Sequence, residues 1–191
     1  MNRRRLLQGA AASAAAGMLF PATRAEAAGD TDYPGAHWVA ASPSNYTASG
    51  RPGTYPIEYV IIHVTQEAFA PTLGIFQNRT KKVSAHYVVR SADGYVAQMV
   101  REQNIAWHAG NWDYNTRSVG IEHEGWVDQP AYFTDALYEQ SARLTASVCD
   151  RYGIPKDREH IIGHYQVPGT DHTDPGPNWD WVRYIRLVNF A

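Results

Sequence analysis

Two short apolar runs, each closed by a histidine, constrain this chain most: Tyr59-Val60-Ile61-Ile62-His63 and Ile161-Ile162-Gly163-His164. Short unbroken apolar runs rich in β-branched residues read as strands buried on both faces, the kind found in the middle of a covered sheet. The rim at the strand ends is where such sheets bind ligands. A carboxylate, Asp174, follows His164 by ten residues in the turn His172-Thr173-Asp174-Pro175-Gly176-Pro177. The prolines stiffen that turn. Two imidazoles and one carboxylate are the ligand set of a catalytic zinc with its fourth position open. Each residue also has a plainer reading: a hydrogen-bonded core histidine, or a turn aspartate capping backbone amides.

The remaining pattern mixes strands and helices. Glu58 to Thr65 is the first strand, and Leu73 to Asn78 suggests a helix. Ala85 to Arg90 and Tyr95 to Val100 are strand-like, joined through Asp93-Gly94, a hairpin signal. Ser118 to Glu122 is a further strand. Phe133 to Tyr152 is the clearest helix, with Thr134 as N-cap, Leu137, Ser141, Leu144, Val148 and Tyr152 on one face, and Gly153 as its stop. Asp180 to Asn189 predicts a last helix, with Trp181, Ile185 and Val188 on one side. Residues 28 to 56 read as loop, pinned to the body by Trp38, Tyr46 and Tyr55. One domain of mixed α/β type around a single sheet is expected.

The first 27 residues read as an export label. Arg3-Arg4-Arg5 precedes an Ala-rich apolar stretch, and Ala25-Glu26-Ala27 supplies a cleavage site; the arginines give it twin-arginine character. Removing it leaves residues 28–191 as one domain with 13 basic and 18 acidic side chains, a formal charge of −5. No basic block argues for nucleic acid. No second long apolar segment argues for a membrane span, so a secreted, soluble monomer is expected. The single cysteine, Cys149, excludes an internal disulfide and a Cys-based metal site, and its helical setting reads as a buried inert thiol.

A zinc hydrolase needs a proton acceptor. Glu122, at the end of its strand, would take a proton from the attacking water and pass it to the leaving amine. His172, two residues before Asp174, would reach the metal's surroundings and stabilise a developing oxyanion. Trp107, His108 and Asn111, in Ala106-Trp107-His108-Ala109-Gly110-Asn111-Trp112, read as a substrate-binding rim. His86 reads as structural. His37, His123 and His160 carry no persuasive context.

Six segments then occur in order: Val60-Ile61-Ile62-His63-Val64-Thr65, Val83-Ser84-Ala85-His86-Tyr87-Val88-Val89, Ala106-Trp107-His108-Ala109-Gly110, Ser118-Val119-Gly120-Ile121-Glu122, Ile162-Gly163-His164 and Thr173-Asp174-Pro175-Gly176-Pro177. Over about residues 55 to 182 the chain resembles the type 2 N-acetylmuramoyl-L-alanine amidases, which share a fold with peptidoglycan recognition proteins. The resemblance implies a mixed central sheet flanked by helices and a zinc enzyme acting on peptidoglycan or muropeptides. The bond cut would join N-acetylmuramic acid to L-alanine. It matches His63, His164 and Asp174 to the zinc ligands and Glu122 to the catalytic glutamate. The chain departs from it at His172, where many members carry lysine; a histidine serves there only when protonated or as a hydrogen-bond donor. A wall-binding module without activity and a peptidase cutting within the stem peptide are the competing readings. No H-E-x-x-H helix supports the second.

Overall fold

The computed structural model describes residues 31–191, so the export label expected over residues 1–27 lies outside the described residues. Eight strands and four α-helices follow in the order β1 (Ala36–Trp38), β2 (Tyr46–Thr47), β3 (Tyr59–Val64), α1 (Phe69–Gln77), β4 (Tyr87–Val89), β5 (Val96–Gln98), β6 (Ile105–Ala106), α2 (Trp112–Arg117), β7 (Ser118–His123), α3 (Asp135–Tyr152), β8 (Ile161–Gly163) and α4 (Trp181–Phe190). Six strands form one mixed sheet in the order β1-β5-β4-β7-β3-β8, and β2 pairs with β6 apart from it. The two apolar runs do sit side by side: β3 is parallel to both β7 and β8. The Asp93-Gly94 hairpin is present, with β4 antiparallel to β5.

Strand alternation divides the sheet's side chains between two cores. Val60, Ile62 and Val64 of β3, Val119 and Ile121 of β7, and Tyr87 and Val89 of β4 pack under α3 and α4. The opposite parity, Ile61, Val88 and Ile162, faces smaller clusters formed with α1 and the loops. Helix α3 carries the expected stripe: Leu137, Leu144 and Val148 are buried against the sheet, each contributing about 1.5–3 kcal/mol. Thr134 accepts a hydrogen bond from the Leu137 amide as N-cap, and Gly153 ends the helix in the left-handed conformation at φ 68°. Cys149 is buried in α3, and burial pushes its thiol up to about 12, consistent with inertness.

Three expectations need correction. The first helix begins at Phe69, four residues before its expected start, with the Phe69 amide held by Glu124. Residues 28 to 56, expected as loop, also contribute β1 and β2. Helix α2, for which no expectation was made, opens where the Asn111 side chain caps the Tyr114 amide. Tyr55, one of three expected anchors, is 40% exposed, whereas Tyr46 packs against the core. Arg51 is a further anchor: its buried guanidinium donates to the carbonyls of Asn115, Thr116, Ser118, Glu102 and Asn104. Burial lowers it to about 10, which leaves it charged at neutral pH.

Candidate active site

The parity that puts Ile61 on the cleft face also puts His63 there. In register beside it, β7 presents Ser118, Gly120 and Glu122 on the same face. His164 follows β8 directly, and the stiff turn returns Asp174 to it: the Tyr165 amide donates to the Asp174 carbonyl at 3.2 Å. His63, His164 and Asp174 thus meet at the floor of a cleft of about 490 Å³ that Glu122, His172, Trp107, Thr65 and Lys82 also line.

His63 Nδ1 lies 3.1 Å from His164 Nδ1 and 3.3 Å from Asp174 Oδ2, and His164 Nδ1 lies 3.3 Å from Asp174 Oδ1. Three side chains able to offer a lone pair face one another in a buried spot, where a cation could sit between them. A tetrahedral zinc with bonds of about 2.0–2.1 Å has ligand–ligand edges of about 3.3 Å. The trio fits that ion, and His63, His164 and Asp174 form the candidate metal cluster among the described residues. Burial pushes His63 down to about 4 against the opposing pull of Asp174, so the ring is neutral, as a ligand must be. Burial alone would raise Asp174, but hydrogen bonds from His164 and His63 outweigh it and hold the carboxylate well below its ordinary range.

Glu122 is half-buried, and its Oε2 is shielded from solvent with no hydrogen-bond partner. Burial, and secondarily the charge of Asp174, raise it well above the ordinary carboxylate value. A carboxyl group held in this way is ready to carry a proton. His172 stacks on His164 with ring centroids 4.1 Å apart, and its Nδ1 lies 3.3 Å from Asp174 Oδ1. Its side chain is 59% exposed, so its outer edge is open to a ligand in the cleft.

The three rim residues part company. Trp107 lines the cleft and donates its indole N–H to Thr47 Oγ1. His108 also lines the cleft but is buried beside His63, with His108 Nδ1 2.9 Å from His63 Nε2. Asn111 spends its side chain on the α2 cap and on the Pro168 carbonyl. His86 is buried and accepts the Gly120 amide, the structural role expected of it. Sequence reasoning passed over His123, which meets the His63 carbonyl at 2.8 Å through Nδ1 from the far face of the sheet. The available signal was its position directly after Glu122, which parity sends into the helix-covered core. Lys82 and Thr65, both lining the cleft, had no signal beyond their nearness to expected strands.

Known proteins resemble this chain over most of its length. Residues 53–177 match the family model described as N-acetylmuramoyl-L-alanine amidase. N-acetylmuramoyl-L-alanine amidase A of Achromobacter lyticus is 37% identical over 176 residues, covering 83% of this chain and 96% of that protein. The crystal structure of a selenomethionine AmpD derivative superposes with a TM-score of 0.68 at 30% identity, covering 82% of this chain and 96% of the other. AmiD of Escherichia coli, solved with anhydro-N-acetylmuramic acid-L-Ala-D-γ-Glu-L-Lys, superposes at 0.58 with 27% identity over 69% of this chain and 57% of AmiD. The order of motifs, the mixed sheet and the likeness over most of its length agree: the chain belongs to the N-acetylmuramoyl-L-alanine amidase family.

Proposed function

We propose that this chain is an exported, zinc-dependent amidase. It hydrolyses the bond between the lactyl group of N-acetylmuramic acid and the L-alanine of the stem peptide. Residues 1–27 would direct export by the twin-arginine route, and residues 28–191 would form the catalytic domain, acting as a monomer. The observation that carries the reading is the convergence of His63 Nδ1, His164 Nδ1 and the Asp174 carboxylate beside Glu122 in one cleft.

His63, His164 and Asp174 would hold the zinc. Bound there, zinc supplies a Lewis acid that polarises the scissile carbonyl and acidifies water to about pKa 7. Glu122 takes the proton released as water attacks and returns it to the departing L-alanine nitrogen, the step without which an amine cannot leave. His172 donates from its exposed edge to the oxygen that gains charge. Because Nδ1 faces Asp174, that donation requires a proton on Nε2 as well. Trp107 offers an apolar wall for a sugar or peptide face. Muropeptide binding by AmiD supports a substrate of this class.

The test is a digest of purified peptidoglycan by the mature protein with and without chelator, read by mass spectrometry. Free stem peptides beginning at L-alanine, lost on chelation and restored by zinc, are the expected products. Intact wall with tight binding and bound zinc would make the chain a recognition module. Cleavage within the stem would make it a peptidase.

A further inference from the structure

The loop between α1 and β4 carries unpaired positive charge at the mouth of the cleft. Arg79, Lys81 and Lys82 are all exposed there, in the run Arg79-Thr80-Lys81-Lys82, although residues 28–191 are acidic as a whole. Arg90, Arg117, Arg151, Lys156 and Arg183 each face an acid. Among the described residues the three loop cations have no acidic partner. Lys82 Nζ donates to the Ser44 carbonyl at 3.3 Å, which uses one of an ammonium's three donors. Lys82 is also the one lysine or arginine among the residues that line the cleft. The acids there, Glu122 and Asp174, belong to the site already described.

The backbone at Lys82 is strained. Lys82 at φ 55° and Gln66 at φ 52° are the positive-φ residues other than glycine among the described residues, and both line the cleft. A side chain with a Cβ disfavours that region. It persists where neighbours over-determine it, as at ligand sites. Here the neighbour is Asn45, which is fully buried. Its Oδ1 accepts from the Lys82 amide at 3.2 Å, and its Nδ2 donates to the Phe76 and Asn78 carbonyls at 2.7 and 3.0 Å. Ser84 Oγ donates to the Asn45 carbonyl at 2.8 Å, so one asparagine fixes both ends of the loop. Glycine would take this turn without strain. The turn therefore gives no reason for a lysine, and its ammonium does.

We propose that Lys82 determines specificity: its ammonium takes a carboxylate of the stem peptide, with Arg79 and Lys81 adding positive field at the mouth. The identity of the ligand rests on the amidase reading above. The ligand solved with AmiD, anhydro-N-acetylmuramic acid-L-Ala-D-γ-Glu-L-Lys, bears two such groups. Its γ-linkage leaves the glutamate α-carboxylate free, and its last residue ends in another. Amidation neutralises either one, so the subsite would select stems by charge. An ion pair at an exposed rim is screened by salt and is worth at most about fivefold in affinity.

The probe is the peptide L-Ala-D-γ-Glu-L-Lys, which has no muramoyl bond to lose. It is titrated into the mature protein supplied with zinc and followed by NMR. Two analogues carry a carboxamide, one at the glutamate α-carboxylate and one at the C-terminus. The wild type should bind the parent about fivefold more tightly than at least one analogue, which identifies the group bound. Lys82→Gln should weaken the parent by the same factor and leave that analogue's affinity unchanged, and Lys82→Arg should restore the difference. Lys82→Gly should unfold at a higher temperature, since its strain is gone, and bind as Lys82→Gln does. Equal wild-type affinity for all three peptides, no binding of the parent, or an equal loss for parent and analogue in Lys82→Gln would each overturn the subsite. Charge-selective binding by a protein that releases no stem peptides from peptidoglycan would support the subsite and remove the amidase reading. Release of stems without charge selectivity would do the reverse.

Discussion

Glu122 can be tested for chemistry and for cost at once. Glu122→Gln keeps the shape of the side chain and removes its ability to accept and return a proton. General acid–base catalysis contributes about 10²- to 10⁴-fold, so kcat should fall by that factor, roughly 3–5 kcal/mol of barrier. Zinc content should be unchanged, since Glu122 stands outside the ligand cluster. The fold should gain when the polar group goes altogether. Oε2 is enclosed without a partner, and burial already raises the carboxyl well above its ordinary value. A buried unsatisfied polar atom costs about 1–3 kcal/mol, so Glu122→Leu should recover about that much. In a chain of this size the gain raises Tm by roughly 2–12 °C. The assays are single-turnover cleavage of a muramoyl peptide followed by mass spectrometry, metal analysis, and calorimetry of the metal-free proteins. Turnover of Glu122→Gln within tenfold of wild type would refute the proton-transfer role. A less stable Glu122→Leu would refute the claim that this carboxyl burdens the fold.

His172→Ala should lower kcat about 10²- to 10³-fold, the usual loss of one oxyanion donor, with zinc retained, and His172→Lys should restore most of it; loss of zinc instead would make His172 a ligand. Acid should weaken the metal-free fold, because burial pushes His123 down to about 3 from 6.5. Between those values the unfolded chain binds the extra proton, so stability is intact above pH 6.5 and falls as pH drops through the window. His123 alone costs about 2 kcal/mol at pH 5 by this linkage, and urea unfolding that gave equal stability at pH 7 and pH 5 would contradict it. Thr134→Ala removes the acceptor for the Leu137 amide and should cost about 1 kcal/mol, read as a lower urea midpoint with an unchanged slope.

The parts of the fold legible in the sequence are those whose pattern comes from burial on both sides or from a cap. β3, β7 and β8 are short apolar runs because the sheet is covered on two faces, and α3 shows both its stripe and its Thr134 and Gly153 ends. Elements set by one distant partner left no such trace. β1 pairs with β5 and β2 with β6 in two- or three-residue stretches, too short for a period to show. The anchoring of the early loop was assigned to the aromatic bulk of Trp38, Tyr46 and Tyr55, of which Tyr46 packs against the core and Tyr55 is exposed. Arg51 is the anchor that was missed, because its value lies in backbone carbonyls that the chain brings together only on folding.

The candidate site divides along the same physical line. Residues whose side-chain chemistry is rare in a core, His63, His164, Asp174 and Glu122, stood out as types, and the structure gathers them in one cleft. His108 also stood out, as part of a binding rim, and it lines the same cleft from a buried position. Its burial depends on Gly120, a residue in another strand that leaves room for the ring. A glycine inside an otherwise β-branched strand is a signal that something approaches closely, though it does not say what. Ser118 and His123 were silent for a different reason. Ser118 meets His108 and the Tyr114 carbonyl, and His123 meets the His63 carbonyl, only once strand parity has placed them, which residue type does not reveal. A sequence therefore announces the atoms that would meet a metal more readily than the residues packed behind them, which emerge only when the strands are laid in register.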